Sequence, residues 1–220
     1  RGLGDVYKRQ VYWKPETSIN QTAKEQYERN ILHCTRQLHY SPNNQNSIDI
    51  VLFVNGIPVV SMELKNQFTG QDADSAIRQY KFDRAGKETI FEFKNRVMVH
   101  FAVDLYNVFM TTRLQGSNTY FLPFNQGSNG AGKVGGKGNP QNENGYQTAY
   151  LWEKILAKDS LLEILHKYMH LQVEIKEDKN GNNIRKETMI FPRYHQLDVV
   201  TKLLEDVKKN GAGHNYLIQH

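Results

Sequence analysis

Asp49 and the Glu63-Leu64-Lys65 triplet are the residues of this chain whose types and spacing could do chemistry. They are carried by one hydrophobic stretch that begins at Ser47. Two carboxylates held about 4 Å apart repel by roughly 4 kcal/mol at an effective dielectric near 20, so such a pair favours a bound cation. Mg²⁺ suits the pair, because it takes one or two carboxylates and keeps positions for water and phosphate oxygens. The residues predict a metal-dependent site that cleaves phosphodiester bonds, with DNA as the substrate.

Each of these residues has an expected role. Asp49 and Glu63 hold the ion, and the backbone carbonyl of Leu64 is a candidate third ligand. A bound metal polarises the phosphoryl group and helps to generate hydroxide. Lys65, a compact cation, orients the attacking water or offsets the charge that develops on phosphorus. This is hydrolysis without a covalent intermediate.

Two strands carry the site. Apolar residues alternate over 48–54, and a second β-prone run covers 59–64, which predicts a hairpin across an Asn-Gly turn. Residues two apart on a strand share a face, so we expect Glu63 and Lys65 on one side and Leu64 facing the core on the other.

The register of the hairpin decides whether the two carboxylates meet. A two-residue Asn55-Gly56 loop would pair Asp49 with Met62, which has the wrong parity. A three-residue loop or a single bulge would place Asp49 opposite Glu63. We predict that offset.

The pattern of an Asp followed by Glu-x-Lys is loose, since Glu and Lys on a strand face commonly do no more than meet solvent. The surrounding apolar strands and the glycine turn favour a real site. Polar residues stand there where apolar ones would otherwise be expected.

Composition bounds the class of protein. With 220 residues and 39% hydrophobic content the chain can bury one good core, and its single cysteine, Cys34, excludes an internal disulfide and is expected to be a buried thiol. The sequence contains no run of 18 apolar residues, so it predicts no membrane span. We expect a cytoplasmic protein without a membrane partner. A net charge of +5 favours a polyanion partner. Candidate phosphate contacts, each of which could equally be a solvated surface charge, are Lys65, Arg78, Lys81, Arg84, Lys87 and Lys94.

Periodicity places further elements along the chain. Tyr27, Ile31 and Cys34 would share one face of an early helix. Further helices are expected at about 71–84, 146–156, from 160 and 193–209, and strands at 97–104, 108–112 and 120–122. Residues 126–146 hold seven glycines but lack the Gly-Lys-Ser/Thr of a phosphate-binding loop, so we interpret them as a flexible connection.

The sequence resembles the N-terminal nuclease region of one subunit of type I restriction-modification enzymes. This is the restriction subunit, which combines a motor and an endonuclease. The resemblance extends over about residues 11–220. It is carried by the stretches 36–41, 47–58, 63–66, 76–84, 95–104, 121–125, 145–152 and 190–198.

The resemblance implies an α/β fold of the PD-(D/E)xK restriction-endonuclease type, a mixed sheet flanked by helices. The metal-binding and catalytic pattern of that family falls on Asp49, Glu63 and Lys65. Many such nucleases add a Gln-x-x-x-Tyr element on the next helix, but here Gln79 and Tyr80 are adjacent. Both are carried over as residues that orient water or contact DNA, with helix packing as the alternative for Tyr80.

The resemblance also implies the start of a RecA-like helicase domain. Arg193 and Gln196 would lie in its adenine-recognition element, so ATP is the expected cofactor of the intact subunit alongside Mg²⁺. The chain ends before any Walker lysine, and we expect a fragment that does not hydrolyse ATP alone. We interpret residues 1–10 as a cloning or assembly artefact and expect the nuclease domain over 11–180. The first elements of the translocase would cover 181–220, and the domain boundary would lie within the charged segment 176–186.

The predicted partners are double-stranded DNA and the methyltransferase and specificity subunits of the restriction complex. Two other functions stay open. One is a stand-alone repair or junction-resolving nuclease of the same fold, and the other is a catalytically silent DNA-binding module.

Overall fold

The fold is built on a six-stranded mixed sheet. The computed structural model describes residues 10–17, 19–177 and 181–218. In chain order the strands are β1 (Leu32–His39), β2 (Ser47–Val54), β3 (Ile57–Leu64), β4 (Val99–Val103), β5 (Val108–Thr111) and β6 (Leu122–Pro123). They lie side by side in this order, with β3 and β4 parallel and the other neighbours antiparallel.

Helices cover both faces of this sheet. They are α1 (Gln21–Glu28), α2 (Ala73–Phe82), α3 (Lys158–Glu163) and α4 (Tyr194–Asn210), with π-helical turns at Leu151–Ile155 and Ile164–Tyr168 and a 3₁₀ turn at Gln67–Thr69. A parallel pair needs a crossover, and α2 supplies it between β3 and β4. The predicted mixed sheet flanked by helices is confirmed.

The core lies in two layers on either side of the sheet. Under α2, Ala76 and Tyr80 pack against Val51 of β2 and Ala102 of β4, all fully buried. The larger layer on the opposite face gathers residues from the strands, from α1, α3 and α4, and from the loops between them. The site described below lies at the α2 side, where β2 and β3 begin to separate.

The turn between β2 and β3 has two residues. Asn55 and Gly56 have φ values of 50° and 81°, and Val54 pairs with Ile57. Positive φ at both central positions is the geometry of the type I′ turn that Asn-Gly favours. Of the two predicted ways to obtain the offset, the three-residue loop is therefore wrong.

A bulge supplies the offset instead. The register of the β2–β3 ladder shifts by one residue just before Phe53, beside Pro58, which has no N–H to donate to a ladder. Beyond the shift Leu52 pairs with Val60, and continuing that register places Asp49 opposite Glu63. The predicted relation between the two carboxylates is confirmed at the level of the register.

The early helix is shorter than its apolar spacing predicted. α1 ends at Glu28, and the Asn30 amide donates to the Tyr27 carbonyl just after it. Ile31 is 67% exposed, and Cys34 lies exposed on β1 rather than buried on the helix. The helical face shared by Tyr27, Ile31 and Cys34 was wrong, because the chain turns into a strand after the first of them.

A second, two-stranded sheet was also missed. β7 (His170–Glu177) and β8 (Asn183–Ile190) pair in antiparallel register along their whole length. The predicted boundary within 176–186 falls between these paired strands, and the division of the chain into domains stays a prediction. After β8, α4 matches the predicted helix and buries Tyr194 and Leu197 in the larger core layer.

The remaining elements follow the predictions with shifted ends. β4 and β5 confirm the expected strand pair, whereas the helix expected at 146–156 is only the π-helical turn. The glycine-rich segment is tied to the core by Asn139, whose amide donates to the carbonyl of Tyr106 over 2.8 Å. The expected artefact at 1–10 lies, except for Gln10, outside the described residues. Over the described ranges, no helix combines the length and apolarity needed to cross a bilayer.

Candidate metal and phosphodiester site

Asp49 lies where β2 parts from β3, and its carboxylate takes the place of a ladder partner. Oδ2 accepts the backbone N–H of Leu64 at 2.8 Å. Oδ1 accepts the side-chain amide of Gln37 at 2.9 Å. Both oxygens are thus oriented by neighbouring strands while the side chain stays half-buried.

Glu63 is fully buried and only half satisfied. Its Oε1 accepts from Arg84 Nε at 2.8 Å, whereas its Oε2 has no hydrogen-bond partner among the described residues. Arg84 is itself only 4% exposed, donates from Nη2 to the Ser47 carbonyl at 2.7 Å and lies over the ring of Tyr40. One guanidinium therefore ties Glu63 on β3 to the start of β2.

Burial raises the pKa of Glu63 from its ordinary value of 4.5 to about 7. The positive charge of Arg84 and its hydrogen bond act in the opposite direction but do not outweigh the loss of solvent. The nearby negative charge of Asp49 raises this pKa further. The two carboxyl groups are therefore neighbours, as the register indicated.

A buried polar chain supports β3 beside Glu63. Ser61 Oγ lies 2.8 Å from the Tyr80 hydroxyl and 2.8 Å from His100 Nδ1. Burial lowers the pKa of His100 to about 3, so its ring is neutral, and burial together with the charge of Glu63 raises the pKa of Tyr80. The chain ties α2, β3 and β4 together under the site.

Leu64 and Lys65 leave the sheet at the end of β3. The predicted core position of Leu64 is wrong, since its side chain is 42% exposed where the strand runs out past the core. Its N–H points toward Asp49, and in an extended strand the C=O of the same residue points to the same side. Lys65 donates its backbone N–H to the Val103 carbonyl at 2.8 Å, and strand alternation puts its half-buried side chain on the face of Glu63.

These groups fit a hard divalent ion. Asp49 and Glu63 offer carboxylate oxygens, the Leu64 carbonyl faces the same side, and Glu63 Oε2 is a buried acceptor that lacks a donor. A cation beside that oxygen would satisfy it and offset the repulsion between the carboxylates. Over the part of the chain that the structure describes, no group of three or more His, Cys, Asp or Glu side chains could hold a metal, so backbone and solvent oxygens would have to complete the shell.

The other predicted residues lie apart from this centre or beneath it. Tyr80 is fully buried with its hydroxyl turned to Ser61, which fits helix packing rather than contact with DNA. Gln79 is half-buried on α2, and its Oε1 has no partner among the described atoms. Arg193 and Gln196 lie at the start of α4, where the Gln196 carbonyl oxygen accepts the backbone N–H of Arg193 at 2.9 Å.

Two of the candidate phosphate contacts have other roles. Arg84 is buried against Glu63, so its expected position on the surface was wrong. Lys94 forms an ion pair with Glu187 of β8. Both departures have one cause, because the sequence shows a cation without showing which carboxylate the fold brings to it.

Sequence reasoning missed three groups that support the site. Arg84 was considered only as a phosphate contact, and Gln37 and the Ser61–His100 pair were not singled out. Ser61 and Glu63 are two apart on β3, so a polar residue at that spacing was the one available signal. Gln37 and His100 gave no local signal, since their partners lie on other strands.

Comparison with known proteins gives two findings. Residues 7–119 match the family described as type I restriction enzyme R protein N terminus, a match that begins four residues before the start expected from the sequence. A relative from Methanocaldococcus jannaschii is 23% identical over 186 residues, which cover 82% of this chain and 15% of the relative. Its name assigns it, provisionally, to the endonuclease subunit of a type I restriction enzyme, MjaVIIIP.

Proposed function

Because the chain belongs to the family of type I restriction enzyme R protein N-terminal regions, we propose that it is a Mg²⁺-dependent DNA endonuclease domain with Asp49, Glu63 and Lys65 at its active site. Family membership supports the restriction endonuclease role. The metal and the residue roles rest on the geometry of the site.

One observation carries the metal assignment. Glu63 Oε2 is buried next to Asp49 without a partner among the described residues, where Gln79 Oε1 is the other buried side-chain atom that lacks one. An unsatisfied buried carboxylate oxygen is costly, and such a group in a native structure calls for an explanation such as a bound ion. A divalent cation between the two carboxylates supplies that explanation.

The residues of the chain then divide the work. Asp49 and Glu63 would hold the ion through carboxylate oxygens, and the Leu64 carbonyl would be a third donor. When bound, Mg²⁺ would supply Lewis-acid activation of the scissile phosphate and of the attacking water. Lys65, on the same face as Glu63, would stabilise the charge that develops on the phosphate oxygens. Arg84 holds Glu63 Oε1 and leaves Oε2 for the ion.

The activity of the intact protein extends this proposal. The chain spans about 15% of the length of the relative that it matches, so most of that protein lies outside the region of similarity. We propose that the remainder adds ATP-driven DNA translocation and assembles with methyltransferase and specificity subunits. In the intact protein that contains this chain, α4 would be the first helix of a RecA-like motor, and Arg193 and Gln196 would contact the adenine of ATP. The side chain of Gln196 would then give up its hydrogen bond to the Arg193 N–H and bind the base instead.

The experiment compares Asp49→Asn with Asp74→Asn. Asp74 is an exposed residue in the first turn of α2, so its variant controls for the loss of one carboxylate. In the intact complex with Mg²⁺ and ATP, we expect Asp49→Asn to lose cleavage of circular DNA while ATP hydrolysis continues, and Asp74→Asn to cleave like the wild type. Normal cleavage by Asp49→Asn would remove catalysis from this site.

A second candidate function, a silent DNA-binding module, is favoured by the absence of a three-residue metal cluster in the described ranges. It predicts that the complex assembled with the wild-type chain retains DNA without cutting it. The same cleavage assay separates the two functions, because only the nuclease shows a difference between wild type and Asp49→Asn.

A further inference from the structure

We infer that Gln37 is a positioning residue for the metal ligand Asp49, an inference that rests on the proposed function. Gln37 lies on β1, the edge strand, and donates its side-chain amide to Asp49 Oδ1 at 2.9 Å. It is exposed and belongs to none of the residues that carry the predicted chemistry. Its role would be to fix the carboxylate rather than to touch the phosphate.

The backbone at Gln37 supports this role. Its φ is 49°, a left-handed conformation that non-glycine residues seldom adopt and that is most unusual within a strand. The β1–β2 ladder pairs Arg36 with Ile50 and Leu38 with Ile48, but it leaves out the pair of Gln37 with Asp49. The strand is therefore opened at one position, opposite the candidate ligand. Backbone strain of this kind persists where the surroundings enforce it, and it is concentrated at functional sites.

A second hydrogen bond holds the other end of the Gln37 amide. The Ser47 hydroxyl donates to Gln37 Oε1 at 2.7 Å. An amide can present either its oxygen or its nitrogen to a neighbour, and a carboxylate accepts only the N–H side. Because the carboxylate of Asp49 can only accept, the amide turns its N–H₂ group to Asp49 and presents its oxygen to the Ser47 hydroxyl, which donates to it.

Asp49 then has both oxygens oriented before any ligand arrives. Gln37 holds Oδ1 and the Leu64 N–H holds Oδ2, which leaves the remaining lone pairs of the carboxylate in fixed directions. Partners that orient a ligand in this way commonly contribute about 10- to 100-fold to metal affinity. Gln37 is the member of this pair that can be changed without altering the main chain of β3.

The test uses Gln37→Asn. Asparagine keeps the amide and tolerates the left-handed backbone better than glutamine, but it is one methylene shorter and cannot span from Ser47 to Asp49. Gln45→Asn makes the same chemical change in the exposed loop between β1 and β2 and serves as the matched control. Gln37→Gly is the second variant, because glycine relieves the strain and removes the side chain altogether.

Mn²⁺ binding to the 220-residue chain is measured by the electron paramagnetic resonance signal of the free ion, together with the melting temperature in EDTA. We expect Mn²⁺ affinity to fall about tenfold in Gln37→Asn and Gln37→Gly. The melting temperature should stay equal to that of the wild type or rise, and Gln45→Asn should match the wild type in both measurements. Ser47→Ala should show a smaller loss of affinity, since it frees the amide to rotate.

Each contrary result has a distinct meaning. A residue with a merely structural role would lower the melting temperature and leave the affinity of the folded chain unchanged, which would overturn the inference. Wild-type affinity in both Gln37 variants, with binding lost in Asp49→Asn, would overturn it as well while sparing the proposed function. Equal Mn²⁺ affinity in wild type and Asp49→Asn would refute the proposed function itself.

Discussion

Replacing Glu63 with Gln should stabilise the metal-free chain, even though it should abolish the proposed activity. Glu63 is fully buried, and burial raises its pKa from 4.5 to about 7 despite the partner Arg84. The fold therefore tolerates the neutral acid better than the carboxylate. Gln has nearly the same shape, carries no charge to bury and keeps an oxygen that can accept from Arg84. The raised pKa of Glu63 already includes the attraction of Arg84, so losing that attraction does not reverse the sign of the effect.

The size and the pH range of the effect follow from this pKa. The pKa of Glu63 in the folded chain lies above its ordinary value. Below pH 4.5 the carboxyl is protonated in both the folded and the unfolded chain and does not lower stability, and stability falls as the pH rises from there through about 7. One pKa unit corresponds to about 1.4 kcal/mol, so the ionised Glu63 costs on the order of 3 kcal/mol above pH 7. We expect Glu63→Gln to raise the free energy of unfolding by up to about that amount at pH 8, and by little at pH 4.5.

Urea unfolding in EDTA at pH 4.5, 6 and 8 measures this difference. Glu92→Gln is the control, because Glu92 is exposed and its variant should stay within about 0.5 kcal/mol of the wild type. Excess Mg²⁺ should then stabilise the wild type at pH 8, by about 2.7 kcal/mol at 100 times the dissociation constant, and leave Glu63→Gln unchanged. A Glu63→Gln variant that is less stable than the wild type at pH 8 in EDTA would refute the argument that this carboxylate is held at a cost.

Three further predictions concern its neighbours. Arg84→Met should lower the free energy of unfolding in urea by about 3–5 kcal/mol at pH 8, because it leaves the buried charge of Glu63 without its partner. The loss should shrink at pH 5, where Glu63 is protonated, and an equal loss at both pH values would contradict this reasoning. Tyr80→Phe should cost about 1 kcal/mol in the same assay and keep wild-type Mn²⁺ affinity, because its hydroxyl bonds Ser61 rather than the site; weakened Mn²⁺ binding would make Tyr80 part of the site. Lys65→Met should lower kcat for DNA cleavage in the intact complex about 100-fold or more and change Mn²⁺ affinity little, because Lys65 would act on the transition state. An unchanged kcat would leave Lys65 without a catalytic role.

The sequence predicted the hairpin because its determinants are local. Alternation of apolar residues gave both strands, and Asn55-Gly56 gave the turn between them. Pro58 also gave a local signal for a bulge rather than a longer loop, since a residue without an N–H weakens the ladder at its own position. The sequence could thus predict that Asp49 and Glu63 share a face of the hairpin. To locate the bulge, the one further inference needed was that the ladder shifts beside Pro58.

β1 could not be predicted in the same way. Its half-buried positions, Leu32, Thr35 and Leu38, are three apart, because the strand lies at a sheet edge and carries the irregularity at Gln37. This spacing lacks the two-residue alternation that marks a strand, and the apolar series Tyr27, Ile31 and Cys34 predicted a helix instead. The alternation of Leu171, Val173 and Ile175 with polar residues made β7 predictable, whereas β8 consists mostly of exposed polar residues and shows no such pattern.

The partners of the site residues were beyond sequence reasoning because they depend on tertiary contacts. Arg84 follows Glu63 by 21 residues and reaches it only because α2 crosses back over the sheet. An arginine near a predicted nucleic-acid site is first interpreted as a phosphate contact, and the buried position reverses that interpretation. The same cation then favours ionisation of Glu63 instead of attracting DNA.

The two carboxylates of the site are held in different ways. Asp49 is half-buried, and neighbouring donors occupy both of its oxygens. Glu63 is buried with one oxygen paired and the other without a partner among the residues that the structure describes, and its pKa is raised. An ion bound between them would therefore release little strain at Asp49 and much at Glu63, so metal binding and folding stability are coupled mainly through Glu63. Since the neutral acid predominates below pH 7, binding there must also release a proton, and metal affinity should rise with pH across the range in which the metal-free chain loses stability.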